Sequence, residues 1–172
     1  MIKPIVLYGA PILRHPIEPM RVGKDVSGIV QDLWDTMYNA DGAGLAAPQI
    51  NVSERIFVID LPDQEWKQVF INPIIETSEG EREIMEEGCL SLPSIGAPIV
   101  RDGEITIHYY DENWKFHAER YRGIRCRVIQ HEYDHLDGVL WLDHVDPALG
   151  MKMIPHLKAI QDREVETSYL VI

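Results

Sequence analysis

The chain has 172 residues, of which 45% are hydrophobic and 26% charged, and a formal net charge of −12. That length and balance suit one domain, residues 1–172, with a sizeable core, and exclude a low-complexity chain. The acidic excess argues against direct nucleic-acid binding, which needs clustered Lys and Arg, and no apolar run nears the roughly 20 residues of a membrane span.

No secretory or transit signature follows Met1, so a cytoplasmic location is expected, with Cys89 and Cys126 as thiols. Met1 to Met20 is apolar but interrupted by Pro4, Pro11, Pro16 and Pro19, which predicts an extended arm lying on the body. From about Asp25 to Asn39, Ile29, Val30, Leu33, Trp34 and Met37 form one apolar stripe at helical spacing. Asp41-Gly42 ends that helix. Gly42 to Gln49, G-A-G-L-A-A-P-Q, has little side chain to pack. Its backbone can approach another element or a ligand closely, so a packing crossover and a binding role are both open. It is not a phosphate loop, because no G-K-[ST] follows.

Arg55 to Asp60 and Gln68 to Asn72 are short β-rich runs expected to pair in one sheet, with a further strand through Ile74 and Ile75. The acidic run Glu79 to Glu87 leads into Gly88-Cys89-Leu90-Ser91, and Ser94 to Pro98 reads as loop. Ile105 to Asp111 alternates, with Ile105, Ile107 and Tyr109 on one face. After a turn at Asp111-Glu112-Asn113, Trp114 to Arg120 returns as its hairpin partner.

A second helix runs from about Gly123 to Leu136, with Gly138 as its stop. It carries His131-Glu132-Tyr133-Asp134-His135, an instance of H-E-x-x-H. Histidines four apart share one helix face and can bind one metal ion, with Glu132 close enough to reach water there. Ile124, Val128, His131 and His135 form one stripe and Ile129, Tyr133 and Leu136 a neighbouring one. Two stripes put this helix at the centre of the domain and disfavour a solvated helix with incidental histidines. Ala148 to Arg163 has helical spacing with Pro155 inside, predicting a kink or a late start, and Ser168 to Ile172 is a strand or a frayed end. The fold class that results is α+β: mixed or antiparallel sheets wrapped around a central metal-binding helix, with an N-terminal helix and a helical or extended C-terminal tail.

Two histidines leave a catalytic metal site short of the usual three protein ligands. No third His follows at zinc-protease spacing. His144 and Asp146 qualify if the chain turns back after Gly138; Cys89, beside Gly88, is the other candidate. A thiolate with two imidazoles suits Fe, Zn, Co or Ni and rejects Mg or Ca. Cys126, next to the buried stripe, reads as core. Glu87 and Asp134 are either orienting partners of ligands or capping and exposed residues.

Three separated motifs now stand together: G-x-G-L-A-A-x-Q at Gly42 to Gln49, E-G-C-L-S at Glu87 to Ser91, and Q-H-E-x-D-H-L at Gln130 to Leu136. In order and spacing the chain resembles the peptide deformylase family over about residues 4 to 145, Pro11 to Arg14 and the Arg101 to Asp111 region included. The resemblance implies a hydrolase that removes the formyl group from the formyl-methionine of new polypeptides, with N-formylmethionyl nascent peptides at the ribosome as partners. It implies a metal held by Cys89, His131 and His135, typically Fe²⁺, with Zn²⁺, Ni²⁺ or Co²⁺ able to substitute. A metal-bound hydroxide would attack the formyl carbon, with Glu132 as general base and then acid. By the same analogy the Gln49 side-chain amide and the Leu90 backbone N–H donate to the oxyanion.

For substrate binding, Gly42, Ala43 and Gly44 are expected to pair with an extended peptide, with Gly88 also at the cleft. Ile124 and Val128 would floor a methionine pocket with Met85 and Ala43, and Arg101 would stand near the rim. Ala43 occupies a position where family members often have Ile or Val, which bears on the pocket's shape. The tail after about Pro147 matches no family pattern. Two rivals share these residues. An H-E-x-x-H endopeptidase lacks its downstream ligand here, and a non-catalytic metal- or peptide-binding module would have lost no catalytic residue type.

Overall fold

The computed structural model of the chain describes residues 1–172. Strands β1 (Gly44–Ala46), β2 (Ile56–Leu61), β3 (Trp66–Cys89), β4 (Leu92–Tyr110) and β5 (Phe116–Arg122) form one antiparallel sheet in sequential order. Helices α1 (Ser27–Asn39), α2 (Gly123–Leu136) and α3 (Pro147–Gln161) complete an α+β fold. None is long and apolar enough to cross a membrane.

Strand alternation decides which helix covers which face. Ile56, Val58, Val69 and Ile71 point to α1 and meet Val30, Leu33, Trp34 and Met37. Their neighbours Phe57, Ile59 and Phe70, with Ile105, Ile107 and Tyr109, point the other way and pack on Cys126, Ile129 and Leu136 of α2. Fully burying each such side chain stabilises the fold by about 1.5–3 kcal/mol. α1 starts two residues later than the stripe suggests; just before it, Asp25 Oδ1 accepts from the Ser27 N–H (3.0 Å), an Asx turn leading into the helix. A third cluster joins Leu7, Ile99, Trp141, Leu157 and Ile160, so the arm, one end of β4 and α3 share a core.

One sequence expectation is corrected, and one strand runs further than the β-rich runs suggest. The acidic run Glu79 to Glu87 is part of β3, and Ser94 to Pro98 is strand, not loop: Gly88 pairs with Gly96, Glu87 with Ala97 and Glu86 with Pro98. Glu76 to Ile84 is exposed at every residue, so no face imposes alternation. Pro98 is tolerated because β5 reaches β4 only as far as Glu104, leaving this half of β4 an edge. At the C-terminus, α3 starts at Pro147 and continues across Pro155.

The N-terminal segment is an arm with one 3₁₀ turn at Pro11–Arg14. Ile5 makes a parallel bridge to Val171, which ties the arm to the chain's last residues. The same arm donates from Val6 N–H to Gln49 O (2.8 Å) and from Tyr8 N–H to Ser91 O (2.9 Å).

Candidate metal centre and cleft

Helix α2 leaves β5 through Gly123 (φ +60°) and is closed by Gly138 (φ +72°). A Cβ on Gly138 would lie 2.7 Å from the Arg14 carbonyl carbon, so the arm passes here only against glycine. Between these ends, His131 and His135 share one face, and β3 delivers Cys89 to it. The thiol sulfur and one nitrogen from each imidazole lie within 4.8 Å of one another, and Cys89 Sγ is 3.3 Å from His135 Nε2. His131 Nδ1 is 2.8 Å from Glu87 Oε2, a contact that places the ring proton on Nδ1 and leaves Nε2 free as a ligand atom. One soft sulfur and two imidazoles, with no carbonyl oxygens among them, fit a first-row transition ion.

The charges around the cluster agree with that chemistry. Burial works to raise the Cys89 thiol, but His135 and His131 outweigh it and hold it at about 5. Burial also disfavours the Glu87 carboxylate, yet His131 and Arg101 keep it far below the usual range. Arg101 Nε and Nη2 donate to Glu87 Oε1 and Oε2 at 2.7 and 3.0 Å, and Arg127 Nη1 donates to Oε1 at 2.9 Å. Glu132 is 4% exposed and its Oε2 has no hydrogen-bond partner. Burial raises this carboxyl to about 7, against the opposing pull of His131 and His135. Glu132 Oε1 lies against Gly44, where a Cβ would come within 2.5 Å.

A cleft of about 660 Å³ opens onto these groups. Gln49 is fixed within it: Oε1 accepts from the Ala46 N–H (2.9 Å), and Nε2 donates to Ser91 Oγ (3.2 Å) and lies 3.4 Å from Cys89 Sγ. Leu90 occupies the tight turn between β3 and β4, and its N–H donates to no protein acceptor. Gly42, Ala43 and Gly44 line one part of the cleft, Gly88, Cys89 and Leu90 another, and Ile124, Val128, His131 and Glu132 a third. His135 is 1% exposed and lies behind the lining.

Two expected residues are placed elsewhere. Arg101 is not at the rim; it is 5% exposed and absent from the cleft lining, bound to Glu87 and, through Nη1, to Asp134 at 2.8 Å. A guanidinium needs several acceptors when buried, and two carboxylates supply them. Met85 is also absent from the lining and sits in the β3–β4 ladder opposite Ile99. Asp134 accepts from Arg101 and lies 2.8 Å from His144 Nε2, so His144 serves Asp134 and does not join the metal cluster. Two contributors lack any sequence signal. Arg127 lines the cleft and bridges Glu87 to the carbonyls of Ile99 (3.0 Å) and Glu83 (2.6 Å). Tyr169 lines it from the far C-terminal tail.

The profile of the polypeptide deformylase family matches residues 2–149. A peptide deformylase of Cytophaga hutchinsonii is 42% identical over 98% of this chain and 96% of its own length. One of Christiangramia forsetii is 44% identical over 98% and 94%. Among solved structures, the peptide deformylase from Thermus thermophilus superposes with a TM-score of 0.88 at 35% identity, over 95% of this chain and 99% of that one. One from Legionella pneumophila gives 0.86 at 34% identity, over 95% and 98%.

Proposed function

Because the chain belongs to the polypeptide deformylase family, hydrolases that remove the N-formyl group from nascent peptides, we propose that it does so with Cys89, His131 and His135 as metal ligands and Glu132 as proton carrier. A divalent ion in that set, Fe²⁺ in this reading with Zn²⁺, Ni²⁺ or Co²⁺ as substitutes, supplies the Lewis acid that makes water nucleophilic near neutral pH. Glu132 takes the attacking water's proton and passes it to the departing methionine amine. Its unpartnered Oε2 and a carboxyl poised at about 7 support that two-way role. The Gln49 Nε2 and the Leu90 N–H stabilise the oxyanion that forms at the formyl group, each worth about 3 kcal/mol of barrier. Gln49's fixed amide and Leu90's unused N–H support the assignment.

The peptide lies along Gly42 to Gly44. β1 is the edge strand of the sheet, so its outer backbone groups are available to an extended chain. Ile124, 42% exposed, and Val128 receive the methionine side chain. The substrates in this reading are formylmethionyl chains met at the ribosome in the cytoplasm.

One observation carries the proposal: three ligand atoms within 4.8 Å of one another beside a buried, unpartnered carboxylate oxygen. The test is elemental analysis of anaerobically purified protein alongside a formyl-Met peptide assay. About one ion per chain is expected, with turnover of the formyl amide and none of internal amides. Metal-loaded protein that spares the formyl peptide would refute the reading, as would Cys89→Ala retaining full metal content.

A further inference from the structure

The C-terminal tail, far in sequence from the three motifs, folds back onto the cleft. Thr167, Ser168 and Tyr169 line it. The tail is held by backbone bonds to the arm: Ile5 N–H to Leu170 O (2.8 Å), Ile172 N–H to Ile5 O (2.9 Å) and Leu7 N–H to Ile172 O (3.0 Å). The arm in turn holds Gln49 and Ser91 by their carbonyls. One contact is direct. The Tyr169 hydroxyl donates to the Leu90 carbonyl at 2.8 Å, and both side chains pack against the α1 core.

Leu90 is the residue in most need of such a tether. It lies between the end of β3 and the start of β4, outside both strands. Its N–H and its C=O belong to adjoining planar peptides joined through the φ and ψ of Leu90; with Cys89 and Leu92 paired at the two ends of the turn, anchoring the carbonyl narrows the rotations still open to the N–H. An oxyanion donor is effective when it is aimed before the charge develops.

We infer that Tyr169 is a positioning residue for deformylation, holding the Leu90–Ser91 peptide so that the Leu90 N–H stays aimed at the oxyanion; this rests on the function proposed above. On the far side of the same peptide, Ser91 Oγ accepts from Gln49 Nε2. Tail, arm and Gln49 therefore grip one short turn from three directions. Burial, helped by the charge of Cys89, pushes the Tyr169 phenol up to about 12, so it stays a donor at neutral pH.

Tyr169→Phe keeps the ring and removes the hydroxyl. Its kcat on a formyl-Met peptide should fall about fivefold, the size of one neutral hydrogen bond, with KM and metal content unchanged. Amide hydrogen exchange at Tyr8, whose N–H is bonded to the Ser91 carbonyl, should quicken in the metal-free protein while α2 is unaffected. Tyr169→Leu should lose at least as much kcat. A Phe variant equal to wild type in kcat and in exchange would mean that only ring packing matters, and would overturn the inference. A raised KM at constant kcat would also overturn it, by making Tyr169 a substrate contact. If wild-type protein left the formyl peptide intact, the function reading would fail, while the exchange comparison would still judge the tether.

Discussion

Glu132 is almost fully buried, yet one of its carboxylate oxygens bonds to nothing in the protein. A buried polar atom without a partner costs about 1–3 kcal/mol, so its retention points to chemistry. Glu132→Gln keeps the shape and removes the proton carrier. Its kcat should drop by about 10²- to 10⁴-fold with metal content unchanged by elemental analysis; near-normal turnover would take Glu132 out of its role. Gly44 tests the same carboxylate from the other side. In Gly44→Ala the new Cβ would meet Glu132 Oε1, and the side chain would have to move. Turnover should fall by roughly tenfold or more, with the unfolding midpoint little changed, because misplacement of a catalytic group by about 1 Å is costly. Full activity would show that Glu132 has room to spare. Cys89, His131, Glu132, His135 and Gln49 were legible in sequence because each lies in a short motif. Arg127 was not, since its acceptors lie 28 to 44 positions away. Tyr169 was hidden for the same reason, 79 positions from Leu90.

At the scale of elements, legibility tracks one-sided burial. α2 spans the residues that its stripes predict, because one side packs on the sheet and the other opens on the cleft. The outer half of β3 was missed because exposure on both faces leaves no period to read, and its partner segment in β4 because Pro93, Gly96 and Pro98 read as loop. The β4–β5 turn was legible through Asp111, whose Oδ1 accepts from the Asn113 and Lys115 amides (2.9 and 3.0 Å) and whose Oδ2 is 2.8 Å from His117 Nε2. Burial works against this carboxylate, but His117 and the two amides hold it below the ordinary value of 3.8. A depressed folded value means that the contribution is present above the unfolded one and is lost as pH falls through the folded one. Asp111→Ala should therefore be less stable than wild type by about 1–2 kcal/mol at pH 7. In urea titrations the gap should narrow near pH 3. An equal gap at both pH values would mean that the ionised carboxylate contributes nothing to the turn.

For the whole molecule, the net charge of −12 is concentrated partly where substrate arrives: Asp41, Glu86 and Glu166 are exposed and line the cleft. No Lys lines it, and its Arg127 is buried and paired. Formyl-Met peptides with Lys after the methionine should show higher kcat/KM than those with Glu, by about tenfold in low salt. The two should converge near about 1 M salt, where the screening length is about 3 Å. A preference that salt leaves unchanged would assign it to contacts and not to the field. The α+β class was legible because two amphipathic helices and a set of alternating strands suffice to define it. The clasp between arm and tail was not, because it is made by backbone bonds that leave no side-chain pattern. The carboxylate of Glu87 has a consequence for how such a chain can diverge. It joins β3 to β4 through Arg101 and to α2 through Arg127 and His131, all of them mostly or wholly buried. Losing Glu87 leaves the buried Arg127 without a counter-ion, and such breaks cost about 3–5 kcal/mol, much of a domain's margin. Single substitutions here descend into a fitness valley, so an evolving lineage must change the group together or leave it alone.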